Sequence, residues 1–193
     1  WIALISHVLT ELDDEAASAL VEQVESAQAV MWVEPGTYAS SRMLIEAREA
    51  LKDGFTVRAP CTHQATCGLL TEENAAHWCH HFAPAPQGAH QDPFWGHFRR
   101  EMNLDIGPLA YSFLVLDRSS ASGSPDQAHM IGKCMRFPKF LRTLTCREEG
   151  VKELVAGRKA NFYKDLKQDR TAALYELSSK QNRMQSGRWL GGS

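Results

Sequence analysis

The sequence has no run of 18 consecutive apolar residues, which removes any membrane-spanning helix of ordinary length. Its opening, WIALISHVLTELDDE, lacks the basic flank and small-residue cleavage site of a signal peptide, so a soluble intracellular protein with no membrane partner is expected. Internal repeats and low-complexity tracts are missing too. So is any GxGxxG turn of the kind that cradles a dinucleotide phosphate, and so is any tight C-x2-4-C knuckle. The five cysteines are an odd number. Without a secretory leader they argue against a disulfide scaffold and leave metal, iron-sulfur or plain core roles open.

What is present is uneven. Across 193 residues with 44% hydrophobic side chains the net charge is only -2, enough apolar content for one sizeable core or a core plus an appendage. That balance hides a gradient. Residues 1–60 carry four Lys/Arg against ten Asp/Glu, and residues 133–193 carry fourteen against six, which points the basic end toward a polyanion.

The first 60 residues read as strand, helix, strand, helix, strand. Apolar runs at 1–5 and 29–33 predict buried parallel strands. Asp13 or Asp14 caps a helix to about residue 26, Ser40 or Ser41 caps a second one ended by Gly54, and 55–59 is a third strand. This is the order of a doubly wound α/β sheet. Residues 60–108 show no strand, only a helix at 93–103, and a loop of that length needs something to tie it together. Residues 111–117, YSFLVLD, form a further buried strand placed antiparallel beside the third. Beyond the linker-like 118–127, a β-hairpin is expected over 129–146 and a third strand over 151–156. A helix is expected over 159–185, with Phe162, Leu166, Ala173 and Leu174 on one face, followed by a loose tail from Ser186.

The densest chemistry lies at residues 58–81, which hold three cysteines, Cys61, Cys67 and Cys79, spaced C-x5-C-x11-C, and four of the eight histidines. Converging thiolates suit zinc or an iron-sulfur cluster. Wide spacing tilts the choice away from a compact zinc knuckle, with buried free cysteines as the remaining alternative. His63, His77, His80 and His81 are candidates for hydrogen bonds to the thiolates or for packing. Ser6, His7 and Glu11, at the end of the first strand, sit where a cofactor or substrate could lie, and also where capping residues belong.

Several motifs together, Glu34-Pro35-Gly36-Thr37, Ala59-Pro60-Cys61 with Cys67 after it, Trp78-Cys79-His80, and Leu116-Asp117-Arg118 at a strand end, resemble the methyltransferase-like family of small-ribosomal-subunit assembly factors of mitochondria and bacteria. The likeness runs from residue 1 to about 117 and more weakly to about 149. It implies the later half of a class I methyltransferase (Rossmann-like) sheet over 1–118, with a cysteine-rich insertion at 60–108 and a basic β-hairpin and helix extension over 119–193. It also implies a 4Fe-4S cluster on Cys61, Cys67, Cys79 and, preferred over the spare Cys134, Cys146, with zinc as the alternative metal. The chain departs from the family at Thr62-His63 and Gly68-Leu69. The cofactor-binding glycine motif is absent, so S-adenosylmethionine is expected only with a separate or missing N-terminal half. No catalytic residue is assigned. Pro60-Cys61 follows the wrong strand for a cytosine-methylating nucleophile, and no acidic or Asn residue precedes a Pro-Pro-aromatic motif.

The resemblance makes the expected partners small-subunit rRNA and ribosomal proteins, in bacterial cytoplasm by preference or in the mitochondrial matrix. Arg99, Arg100, Lys133, Arg136, Lys139 and Arg142 are the candidate RNA-binding residues, with Arg147, Arg158 and Lys159 beside them. Interleaved Phe137, Phe140 and Phe162 could stack on bases or belong to the core. An active S-adenosylmethionine-dependent rRNA methyltransferase and a zinc-stabilised structural module are the alternative functions.

Overall fold

The two apolar runs near the start of the chain form β1 (Ile2–Ser6) and β2 (Ala29–Pro35), paired in parallel from Ile2 opposite Ala29 to Ser6 opposite Val33. In the computed structural model, which describes residues 1–104, 107–120, 127–160, 162–166 and 174–191, the crossover between them is α1 (Asp14–Val24), whose N-cap Asp13 accepts from Ala16 N at 2.8 Å. Then comes α2 (Tyr38–Leu51), capped by Thr37, which accepts from Ser40 N, and not by either serine. Ser40 and Ser41 are instead buried in the first turn.

After β3 (Thr56–Ala59), the described residues of segment 60–108, where the sequence predicts no strand, form one short strand, β4 (His81–Ala83), and two α-helices, α3 (Gln87–Gln91) and α4 (Pro93–Met102). The strand β5 (Leu109–Asp117) runs antiparallel between β2 and β3, giving the order β1-β2-β5-β3, and its first residues also pair with β4. Trp32, Leu114, Leu116, Leu44 and Leu51 meet in the core between this sheet and its helices. The edge strand β1 is buried on one face only. Ala3 and Ile5 point inward, while Ile2 and Leu4 are 71% and 75% exposed.

The C-terminal part differs from the expected hairpin plus helix. Five strands, β6 (Gln127–Arg136), β7 (Phe140–Arg147), β8 (Gly150–Gly157), β9 (Leu174–Lys180) and β10 (Arg183–Gly191), close into a barrel in the order β10-β8-β7-β6-β9. Among the described residues of the barrel, β8 and β10 pair in parallel and the other pairs are antiparallel. Of the helix expected over 159–185, one turn exists, α5 (Tyr163–Leu166); residues 167–173 lie outside the described residues. Phe162 and Leu166 do pack inward, plugging the barrel with Leu141, Leu154 and Ala156. What defeats the rest of the helix is a period of two. Tyr175 and Leu177 are buried on either side of the half-exposed Glu176, and the strand face wins because closure buries it. Gln181 and Asn182, at φ 49° and 58°, make the two-residue turn that sends the expected loose tail back as β10.

Candidate metal centre

Four segments bring sulfur to one cavity. Cys61 follows β3, Cys67 precedes a short 3-10 turn at Gly68–Leu70, Cys79 leads into β4, and Cys146 lies near the end of β7. All four line a cavity of about 30 Å³ walled by Leu44, Ile45 and Arg48 of α2, by Phe113 and Leu114 of β5, and by Ile131 of β6. That is more than the 10–15 Å³ or so that one water needs. Cys134 is not in this lining and packs against the barrel core. The four sulfurs share the cavity, yet among the described residues no three His, Cys, Asp or Glu side chains are grouped to hold a single metal ion.

Side chains of the cavity wall and its surroundings pin the cysteine-bearing segments of the insertion. Ser41 Oγ and Ser112 Oγ both donate to the Cys79 carbonyl, at 2.7 and 2.6 Å. Arg42 donates to the carbonyls of Leu69, Asn74, Ala75 and His77, so one guanidinium shapes the whole stretch between Cys67 and Cys79. Arg48, 2% exposed, donates to the carbonyls of His63 and Ala65 at 3.0 Å and pairs with Glu49. Glu49 in turn accepts from Cys67 N at 3.0 Å and from Lys52 at 2.6 Å. The insertion also seats on the barrel. A Cβ on Gly68 would stand 2.7 Å from Val151 N, and one on Gly132 (φ +66°) would stand 2.8 Å from the His80 ring.

Protonation follows from this enclosure. Burial raises all four thiols, Cys67 to about 11, and a negative charge on Cys61 raises Cys67, Cys79 and Cys146 further. Arg48 works the other way. Burial disfavours its charge, but Cys61 and Glu49 beside it more than compensate, and its guanidinium favours ionisation at Cys61. Burial likewise opposes ionisation of Glu49, yet hydrogen bonds from Lys52 and Cys67 N and the Arg48 charge hold it below the usual carboxylate range.

Histidines ring the sulfurs. His63 Nε2 lies 3.3 Å from Cys146 Sγ, His81 Nε2 lies 3.7 Å from Cys79 Sγ, and His129 Nε2 lies 3.3 Å from His81 Nδ1. Burial lowers His63 and His81, and lowers His129 to about 4. His80 packs on Trp78 with ring centroids 4.7 Å apart, and His77 is exposed. Arg42, Arg48, Glu49 and His129 are the site residues that the sequence reading passed over. For Arg48 the signal was its place on the apolar stripe of α2, with Leu44, Ile45 and Leu51.

At the far end of β1, Ser6 Oγ lies 2.7 Å from His7 Nδ1, while Glu11 is exposed. The buried carboxylate there is Glu34, whose Oε1 accepts from Val8 N, Leu9 N and Trp32 Nε1. Among the candidate RNA-binding residues, Lys133, Arg136, Lys139 and Arg142 lie on the β6–β7 hairpin. Lys133 stands 4.2 Å over the Phe82 ring, and Arg142 stands 5.0 Å over Phe137 and 3.3 Å from Glu153. Arg99 and Arg100 are exposed on α4, whose main packing partner is α3.

An α/β sheet with an antiparallel strand set between its neighbours, joined through a four-cysteine cavity to a five-stranded barrel, defines a mixed α/β protein with a sulfur-lined centre between its two bodies of β-structure. The chain belongs to the family described as mitochondrial small ribosomal subunit Rsm22, a methyltransferase-like assembly factor family, whose model matches residues 2–170. No curated protein matches the chain significantly. Family membership associates the protein with the small ribosomal subunit, and no helix among the described residues is long and apolar enough to cross a membrane.

Proposed function

We propose that the chain is an rRNA-binding assembly protein of the small ribosomal subunit that carries a 4Fe-4S cluster on Cys61, Cys67, Cys79 and Cys146. The observation that carries this reading is the arrival of four cysteines from four separate segments at one cavity, with the fifth outside it. Soft thiolates are the donor set such a cluster takes. A tetrahedral zinc ion, with Zn–S near 2.3 Å, needs its four sulfurs gathered about one point. The cysteines come from widely spaced positions and form no tight C-x2-4-C knuckle of the kind zinc sites use, which favours the larger inorganic core.

The protein's own residues supply the rest. Arg48 offsets the negative charge of the thiolates, His63 and His81 stand within reach of two of them, and the rest of the lining is mainly apolar. When bound, the cluster would clamp the insertion to the barrel and stabilise the surface that meets rRNA, which places its chemistry in structure and not in turnover. The partners are small-subunit rRNA and ribosomal proteins, in mitochondria for a eukaryotic host and in the cytoplasm for a bacterial one.

The test is elemental analysis of protein purified without oxygen. Iron and acid-labile sulfide in equal amounts, with a brown colour, are expected. Stoichiometric zinc, or no metal after anaerobic reconstitution, overturns the cluster assignment.

A further inference from the structure

The barrel has a topology with its own consequence. Its first three strands form an antiparallel meander, the third pairs in parallel with the fifth, the fourth pairs with the fifth and the first to close the ring, and a helical turn lies between the third and fourth. This is the arrangement of the OB-fold, which binds oligonucleotides or oligosaccharides across its second and third strands, between the loops that join strands one to two and four to five. Fold alone does not assign a ligand, so the side chains at that place must decide.

They are those a single strand needs. The β6–β7 turn is tight, with Phe137 N donating to Phe140 O at 3.0 Å, and the two rings stack at 4.6 Å and 18°. Arg142 covers the Phe137 ring, so guanidinium and two rings form a column. Directly across from Phe140 on β8 is Gly157, where an added Cβ would meet nothing within 4 Å. The floor beside the column is therefore open. The β9–β10 turn reaches the same end of the barrel, since Val155 N donates to Asn182 O and Arg183 pairs with Val155. Arg136, Lys139, Arg158, Lys159 and Arg183 are all exposed around this floor. The carboxylate facing it is Glu153, held by Arg142, while Glu148 and Glu149 lie at the opposite end of the β7–β8 pair. Cations attract phosphate without regard to sequence, and a ring beside open space offers a platform to an unpaired base, which a duplex does not present.

The geometry points to a single-stranded RNA site on the outer face of β7 and β8, with a base stacked on Phe140 and phosphates on the cations of the two flanking turns. It rests on the rRNA-binding reading above and adds where, and in what form, the RNA is held.

Fluorescence anisotropy of the intact chain with a labelled, unstructured RNA of about 12 nucleotides, inside the range of OB site sizes, tests it against a duplex of equal length and a folded small-subunit rRNA fragment. The single strand should bind more tightly than the duplex. Phe140→Ala should weaken it at least about fivefold, the low end for loss of one stacked base, with Phe140→Trp restoring it. Because Phe140 is half-buried, the exposed pair Lys139→Glu and Arg183→Glu provides a second arm. Each should lower the salt slope by about 0.7, the contribution of one phosphate contact on a single strand. Wild-type affinity and salt slope in all these variants overturn the site. Binding of the folded fragment but not of the single strand also overturns it and leaves the rRNA reading standing. Binding of neither sinks both.

Discussion

Replacing Gly68 by alanine tests whether the insertion and the barrel are one packed unit. The new Cβ would stand 2.7 Å from Val151 N, 2.9 Å from Gly150 Cα and 3.1 Å from Gly150 C. All three are backbone atoms, so no side chain can rotate aside, and relief requires the Cys67 loop and the β7–β8 turn to separate by several tenths of an ångström. Overpacking of this kind costs about 1–3 kcal/mol, and with only backbone in the way the upper end is expected. With a urea m-value of about 2 kcal/mol/M, about 3 kcal/mol lowers the unfolding midpoint by about 1.5 M. Hydrogen exchange should quicken at residues 67–70 and 150–151. Gly88→Ala is the control, because it meets nothing within 4 Å and lies in a helix, where alanine is neutral or stabilising by up to about 1 kcal/mol. A Gly68→Ala protein within about 0.5 kcal/mol of wild type would refute the close seating of the two units.

Four other outcomes are expected. Arg42→Met removes the donor shared by four carbonyls between Leu69 and His77. A loss of about 2–4 kcal/mol should appear in urea unfolding, with faster exchange confined to 69–77. Glu34→Leu strands the donors of Val8, Leu9 and Trp32 in a buried place; about 3 kcal/mol or more should be lost, with a shift in Trp32 fluorescence. Tyr111 is raised above its ordinary value of 10.0 by burial. The folded state therefore holds that proton more tightly, and the stability it contributes is intact below pH 10 and lost as the pH climbs through the folded value. Absorbance titration at alkaline pH should show a late phenol step that Tyr111→Phe abolishes. Cys146→Ser should abolish iron and sulfide incorporation while Cys134→Ser leaves it whole, as elemental analysis of the two proteins will show.

The α/β half was legible because its signals are local. Apolar runs, Asp13 as a cap and the Pro35-Gly36 turn each act within a few residues, and the elements they predict are β1, α1, β2, α2 and β3. Two local readings still failed. Thr37 caps α2 in place of Ser40, because the serines face inward. Ile2 and Leu4 are apolar yet exposed, because β1 is covered on one side only. The barrel was illegible for a different reason. Leu174 falls on the helical face expected with Phe162, Leu166 and Ala173, and only pairing with β6 and β10 buries Tyr175 and Leu177 at the two-residue period. The pairing with β6 joins residues as far apart as Gln127 and Glu176 and leaves no local mark, whereas β10 is joined to β9 by the two-residue turn at Gln181 and Asn182. The cavity shows the same division, since its cysteines were visible by residue type while Arg48, Glu49 and His129, which set its charge and hydrogen bonding, were visible only once α2 and β6 had been placed.

The enclosure of four thiols has a cost that decides what the cavity favours. Burial holds the protons on Cys61, Cys67, Cys79 and Cys146, repulsion from neighbouring thiolates adds to it at Cys67, Cys79 and Cys146, and Arg48 is the cation that opposes them at all four. One guanidinium cannot stabilise four thiolates, so ionisation of the set needs further positive charge in the cavity itself. The same four side chains join three segments of the insertion to β7. Supplying that charge therefore also tightens the contacts of Gly68 with Val151, of His80 with Gly132 and of His81 with His129. Occupancy of the cavity and docking of the insertion on the barrel are thus linked equilibria, and whatever loosens one must weaken the other.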